Sequence, residues 1–235
     1  KTPVPHVVDY IWHPDEGPVY AACDHNFAKP ASTLFAQVNK FGDVVIFDER
    51  FTPHTSTYMQ GQQIVDKEAE LTRTALQIWQ DEQALQKQRH HIKLQDIVAD
   101  VSGDQVQLSG RAAWDDIEAI TGRRPVGLKQ PRDIGSNMIR LWLTYPQFDG
   151  RGRPQLDPVS GEQVTLPKLF INRNCINLIY ALQTAKFKKG QNGTLKEDYE
   201  ESPDGYEGLI DALRYLLVHL FHETGEHFTI VKGAL

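Results

Sequence analysis

Three apolar runs crowd into the first fifty-one residues: "VYAAC" (19–23), which ends at Asp24, "PASTLFAQVN" (30–39) and "GDVVIFDERF" (42–51). Each has the length of a strand, and turn-forming residues separate them, Lys40–Asp43 standing between the second and third. This spacing predicts a three-stranded antiparallel meander over 19–51. Along the middle run, Leu34, Ala36 and Val38 alternate only loosely with Thr33, Phe35 and Gln37.

Beyond the meander, helix and strand alternate. Ile64, Glu68, Leu71, Ala75 and Ile78 recur at helical spacing with one polar gap. "DIVADVSG" is a short apolar strand ending at Asp100, and "AAWDDIEAITG" a helix closed by Gly122. "PVGL" reads as a strand, and "DIGSNMIRLWLTY" as a helix with Ile134, Met138, Leu141 and Trp142 inward. Residues 145–165 are turn-rich and polar, a hairpin or loop insertion. "KLFI" is a strand, and Asn172 or Asn174 caps the helix "CINLIYALQT". A polar loop, "KFKKGQNGTLKEDYEES", leads to a last amphipathic helix and a tail over 218–235. The order β-β-β-α-β-α-β-α-β-α-α predicts an α/β fold. It implies one domain over 1–235 with its core at 19–217, a mixed sheet covered by helices on both faces.

Composition narrows the function. Of 235 residues, 40 % are hydrophobic and 24 % charged, as in a globular chain, and no apolar run is long enough to span a membrane. No signal-peptide core opens the sequence. Cys23 and Cys175 are too few for a disulfide framework, and their apolar surroundings suit buried, inert thiols in a reducing compartment. A net charge of −6 argues against a nucleic-acid coat, yet it is compatible with an acidic site beside a separate basic stripe. The chain opens at "KTPVP" without Met, so we expect further motifs upstream.

Two apolar strands end at aspartate, Asp24 and Asp100, and Asp211 borders the apolar stripe of the last helix. In a mixed sheet the first strand of the meander and the first strand after it can lie side by side. Their carboxyl ends would then adjoin, and a helix laid across that edge could add Asp211. Three carboxylates repel one another unless protonated or neutralised by a divalent cation. Oxygen donors select Mg²⁺ or Mn²⁺ over zinc, and two such ions about 3.5–4 Å apart would promote phosphodiester hydrolysis. Each aspartate also has a bland reading as a turn, cap or solvated residue.

The segment "DGYEGLIDALRYLL" resembles the closing segment of the nuclease domain in the large subunit of tailed-phage terminases, with its acidic residues, apolar step and D-A-x-R-Y. "YAACDHNFAKPAST" resembles that family's first catalytic strand, and "IVADVSGDQ" its second. "RDIGSNMIRLWL" and "LFINRNCINLIYALQTAKF" are similar to two of its helices, so the resemblance runs from about 19 to 217. It implies a ribonuclease H-like fold and a metal-dependent endonuclease that cuts concatemeric viral DNA during packaging. Asp24, Asp100 and Asp211 would be the catalytic, metal-binding carboxylates, with Asp204 or Glu207 as a fourth ligand. A capping box at the helix start is the plainer account of those last two. Several members carry His three residues before the last Asp, where this chain has Gly208.

The same resemblance implies double-stranded DNA as substrate and an ATPase domain upstream, which has no G-x-x-x-x-G-K-[ST] counterpart here. It further implies a portal protein and a small terminase subunit as partners, and the host cytoplasm as location. Arg151 and Arg153, and Lys186, Lys188 and Lys189, stand on loops that could grip the DNA backbone. His25 is a candidate phosphate contact or support beside Asp24, whereas His219 and His222 read as packing or surface groups. Two alternatives stay open: another ribonuclease H-like enzyme such as a junction resolvase or transposase, and a non-catalytic module that docks DNA or the portal.

Overall fold

The structure is a computed structural model and describes residues 6–25, 28–81, 91–105, 111–128, 132–189, 195–200 and 202–223. Its first elements are β1 (Val7–Val8), β2 (Val19–Asp24), β3 (Ala31–Val38), β4 (Val44–Thr52), α1 (Thr57–Asp81) and β5 (Ile97–Ala99). A 3₁₀ turn (Val101–Asp104), α2 (Ala113–Thr121), α3 (Arg132–Leu143), β6 (Tyr145–Pro146) and β7 (Thr165–Leu166) follow. The rest comprises β8 (Leu169–Asn172), α4 (Ile176–Thr184), β9 (Phe187–Lys189), β10 (Leu195–Tyr199) and α5 (Glu207–Glu223).

Six strands form a mixed sheet in the order β1-β8-β4-β3-β2-β5. The meander β2-β3-β4 is antiparallel, whereas β5 pairs parallel to β2 and β8 parallel to β4. The register sets Cys23 opposite both Thr33 and Ala99, so β2 and β5 end together.

The loose alternation of the strands has a physical cause: both faces of the sheet are covered. Tyr20, Ala22, Leu34, Ala36, Val44 and Ile46 face a core shared with α3, α4 and α5. Val19, Ala21, Cys23, Phe35 and Phe47 face a second core built with α1 and α2. With apolar contacts on either side, period two no longer separates polar from apolar. The gap in the α1 stripe is also filled. Glu68 accepts the backbone N–H of Leu94 at 2.8 Å and pairs with Arg123, tying α1 to the segment entering β5.

Several expectations are revised. "PVGL" contributes only an isolated bridge, Val126 to Val98, in place of a strand. Neither Asn172 nor Asn174 caps α4. The N-cap position is Cys175, and the carboxylate of Glu49 on β4 accepts the N–H groups of Asn177 (2.8 Å) and Leu178 (2.9 Å). Asn172 instead binds the backbone of Tyr10, which holds the N-terminal segment against β8. The polar loop after α4 contains the ribbon β9–β10. The last helix runs on past 217 to Glu223 and buries Val218 and Leu220, so only residues 224–235 of the expected tail lie outside the described residues. The 145–165 insertion is a hairpin, with β6 paired antiparallel to β7. Both cysteines are buried, and burial lifts the Cys23 thiol to about 12.

Candidate active site

Asp24 ends β2, Asp100 follows β5 directly, and Asp211 lies one turn into α5. Parallel pairing of β2 with β5 fixes the first two at one edge of the sheet. The amino end of α5 lies across the same edge, close enough that a methyl group at Gly208 would stand 3.0 Å from Oδ2 of Asp24 and 2.8 Å from Oγ of Ser32. Glycine at this position therefore permits the helix to approach the carboxylate.

The three charges sense one another. Burial raises Asp24 to about 7, and the charges of Asp211 and then Asp100 push in the same direction, with Arg214 opposing and Glu207 adding to the rise. Burial also raises the phenol of Tyr215, and Asp24, Asp211 and Asp100 reinforce that shift. Charges drawn from three distant segments converge on one place.

Two of the carboxylates have holders. Arg214, 7 % exposed, places its guanidinium 3.1 Å from Asp211 one turn back along α5. It occupies the space left by Gly135 of α3, where a methyl group would overlap its Cγ and Cδ. Asp100 accepts from the Ser102 hydroxyl (2.6 Å) and backbone N–H (3.3 Å), capping the 3₁₀ turn, so the bland reading of this residue also holds. The indole N–H of Trp114 donates to the Asp100 carbonyl at 3.1 Å.

On the far side of Asp24 stands a group the sequence did not single out. Gln60, in the first turn of α1 and 1 % exposed, donates through Nε2 to the Ser32 carbonyl (2.9 Å) and the Thr33 hydroxyl (3.0 Å). That orientation turns Oε1 toward Nδ1 of His25 at 2.6 Å, so Nδ1 carries the imidazole proton. Burial holds the ring below its usual pKa, and its bare Nε2 finds no partner among the described residues. The hydroxyl of Ser32, fully buried, has none there either. His25 is thus a packed neutral group, a geometry suited to support.

Between the two fourth-ligand candidates the structure distinguishes clearly. Asp204 is exposed, and its charge is not among those that shift Asp24. The Glu207 carboxylate does reach Asp24 electrostatically, but it is engaged by Lys29 and by the N–H of Ser202 at 3.1 Å. These contacts tie Glu207 to the start of α5. The basic candidates have surroundings of their own. Arg151 is exposed on the hairpin, and Arg153 is held by Asp149 at 2.8 Å. Lys186 is exposed and Lys188 half-buried, while the side chain of Lys189 lies outside the described residues.

The donors are all hard oxygens, and a buried orphan hydroxyl faces Asp24, a set that suits a Mg²⁺- or Mn²⁺-sized cation. Among the described residues, no three carboxylate, imidazole or thiol groups close on a point that one ion would touch. Asp211 is turned to Arg214 and Asp100 to Ser102.

The nuclease domain of g2p, the large terminase of bacteriophage SPP1 solved with bound Mn, superposes on this chain with a TM-score of 0.54. The match covers 93 % of this chain and 95 % of that domain at 14 % sequence identity. The fold is that of a large terminase nuclease domain. The large terminase of a thermophilic bacteriophage, in complex with ATP-gamma-S, gives 0.51 at 12 % identity, and another structure of the same protein gives 0.50 at 13 %. This chain covers 42 % of either of those two chains, so it spans about two fifths of that large terminase. No protein-family model and no curated protein matches the sequence. The likeness to large terminase nuclease domains is therefore one of fold.

Proposed function

We propose that this chain is a metal-dependent DNA endonuclease that cuts concatemeric viral DNA during genome packaging. The observation that carries the reading is that Asp24 and Asp100 end neighbouring parallel strands, with the first turn of α5, the helix that carries Asp211, packed against Asp24. The fold shared with the Mn-bound nuclease domain of SPP1 supports it.

In this reading Asp24, Asp100 and Asp211 hold two divalent cations, Mg²⁺ or Mn²⁺. The chemistry such ions supply when bound is activation of a water nucleophile and neutralisation of charge at the leaving oxygen. Burial, and then the charges of Asp211 and Asp100, raise Asp24 to about 7, a shift that a bound cation would oppose. Arg214 fixes the position of Asp211 on α5, and Gln60 with His25 holds the end of β2 in place. Arg151 and Arg153 on the hairpin, with Lys186, Lys188 and Lys189 beyond α4, grip phosphates of the duplex. Double-stranded DNA is the substrate, and an ATPase domain of the same polypeptide, a portal protein and a small terminase subunit are the partners, in the host cytoplasm. Among the described residues no helix is long and apolar enough to cross a membrane.

The test is cleavage of supercoiled plasmid in Mn²⁺ or Mg²⁺. The wild-type chain should nick and then degrade it, and Asp100→Ala and Asp211→Ala should each abolish cutting while circular dichroism stays unchanged. Cutting by Asp211→Ala at the wild-type rate would overturn the assignment. A wild-type chain that retards DNA in a gel and leaves it whole would make this a docking module.

A further inference from the structure

A cleft of about 620 Å³ opens between the end of α4 and the start of α5, beside the aspartate edge. Two tyrosines, Tyr180 and Tyr206, stand in its lining. Tyr206 stacks on Phe51 with ring centres 5.0 Å apart, and Tyr180 meets Tyr206 edge-on at 5.0 Å while keeping 50 % of its surface exposed. Among the described residues, two exposed carboxylates, Glu200 and Asp204, line the cleft with the ammonium of Lys186, and a third acid in the lining, Glu207, is matched by Lys29. The carboxyl end of α4 forms another wall and adds the negative pole of a helix.

We propose that this cleft receives an arginine side chain from a partner protein. A guanidinium is the group that both stacks on an aromatic ring and forks onto a carboxylate. The other candidate occupant is a nucleotide, whose base would also stack on Tyr180. Its phosphate would meet two open carboxylates and one lysine, a balance that disfavours an anion. Charge complementarity selects the cation. The cleft uses none of the three aspartates and shares only Lys186 with the basic groups of the nuclease reading.

The two occupants respond oppositely to loss of charge. The experiment follows the tyrosine ring signals by NMR while the chain is titrated with a capped Gly-Arg-Gly tripeptide, its lysine and glutamine counterparts, and a short oligothymidylate. The arginine peptide should shift the Tyr180 and Tyr206 signals saturably in the millimolar range, ahead of lysine and well ahead of glutamine. Asp204→Asn or Glu200→Gln, both exposed sites, should weaken it about fivefold, equivalent to roughly 1 kcal/mol. Tyr180→Ala should weaken it further. Equal shifts from the glutamine peptide, or no saturable shift from the arginine peptide, would overturn the proposal. Oligothymidylate that binds here, and binds more tightly to Asp204→Asn, would make the cleft a nucleic-acid subsite.

Discussion

The guanidinium of Arg214 stands 3.1 Å from the Asp211 carboxylate, in a helix whose neighbouring side chains Leu213, Leu216 and Leu217 are fully buried. An acid on an apolar stripe needs such a partner, because a carboxylate left alone there would forfeit its solvation. The pair exists because Gly135 on α3 has no side chain to block the arginine.

Gly135→Ala should therefore act on α5 from a different helix. Its methyl group would overlap Arg214 and force the guanidinium to move. We expect a loss of about 1–3 kcal/mol in chemical denaturation, the usual cost of overpacking, and weaker Mn²⁺ binding by calorimetry. Unchanged stability would mean that Arg214 has an alternative path.

A second prediction concerns pH. Asp24 is raised to about 7 in the folded chain, and near 3.9 is expected when unfolded, so the folded state holds the extra proton between those values. The contribution of this group is fully favourable below about pH 4 and is lost as pH rises towards 7. The metal-free wild type should accordingly lose roughly 2–4 kcal/mol relative to Asp24→Asn across that interval. Parallel stability curves for the two proteins would refute the coupling.

Glu207→Gln separates anchoring from ligation. With its carboxylate on Lys29 and the Ser202 N–H, the variant should lose about 1 kcal/mol of stability and keep its Mn²⁺ affinity within about twofold. A tenfold drop in that affinity would make Glu207 a ligand.

Removing the remote cap of α4 should cost more. Glu49 is 9 % exposed and accepts three hydrogen bonds, from the N–H groups of Asn177 and Leu178 and from the Asn177 amide at 2.9 Å. Glu49→Gln turns one acceptor into a donor facing donors, and a loss of about 2–3 kcal/mol in thermal or urea unfolding is expected. A shift below about 0.5 kcal/mol would show that water replaces the cap.

What the sequence displayed and what it concealed divide along the range of the interactions. The meander, the strand ending at Asp100 and the helix closed by Gly122 depend on neighbours a few residues away, and their apolar runs and turn residues expose them. The pairing of Asp24 with Asp100 followed from strand order, since a parallel neighbour of β2 must end beside it. Glu49, Gln60 and Gly135 were hidden for the opposite reason. Each serves a partner more than thirty residues away, and nothing local distinguishes it from an ordinary surface residue. Gly208 was noticed as a departure from a family pattern, but its purpose, making room for Asp24, depends on a helix-to-strand distance that no sequence displays.

The separation of the three aspartates along the chain has a consequence for synthesis. Asp24 and Asp100 lie 76 residues apart (100 − 24), and Asp211 follows 111 later (211 − 100) on a helix made after every strand of the main sheet. A ribosome adding roughly 5–20 residues per second therefore carries a growing chain for several seconds with two of the three acids already exposed to solvent. Until α5 emerges and docks, the proposed cutting centre has no third arm. On the proposed function, the chain would be inactive at synthesis and would become competent only when its last helix closes the sheet edge.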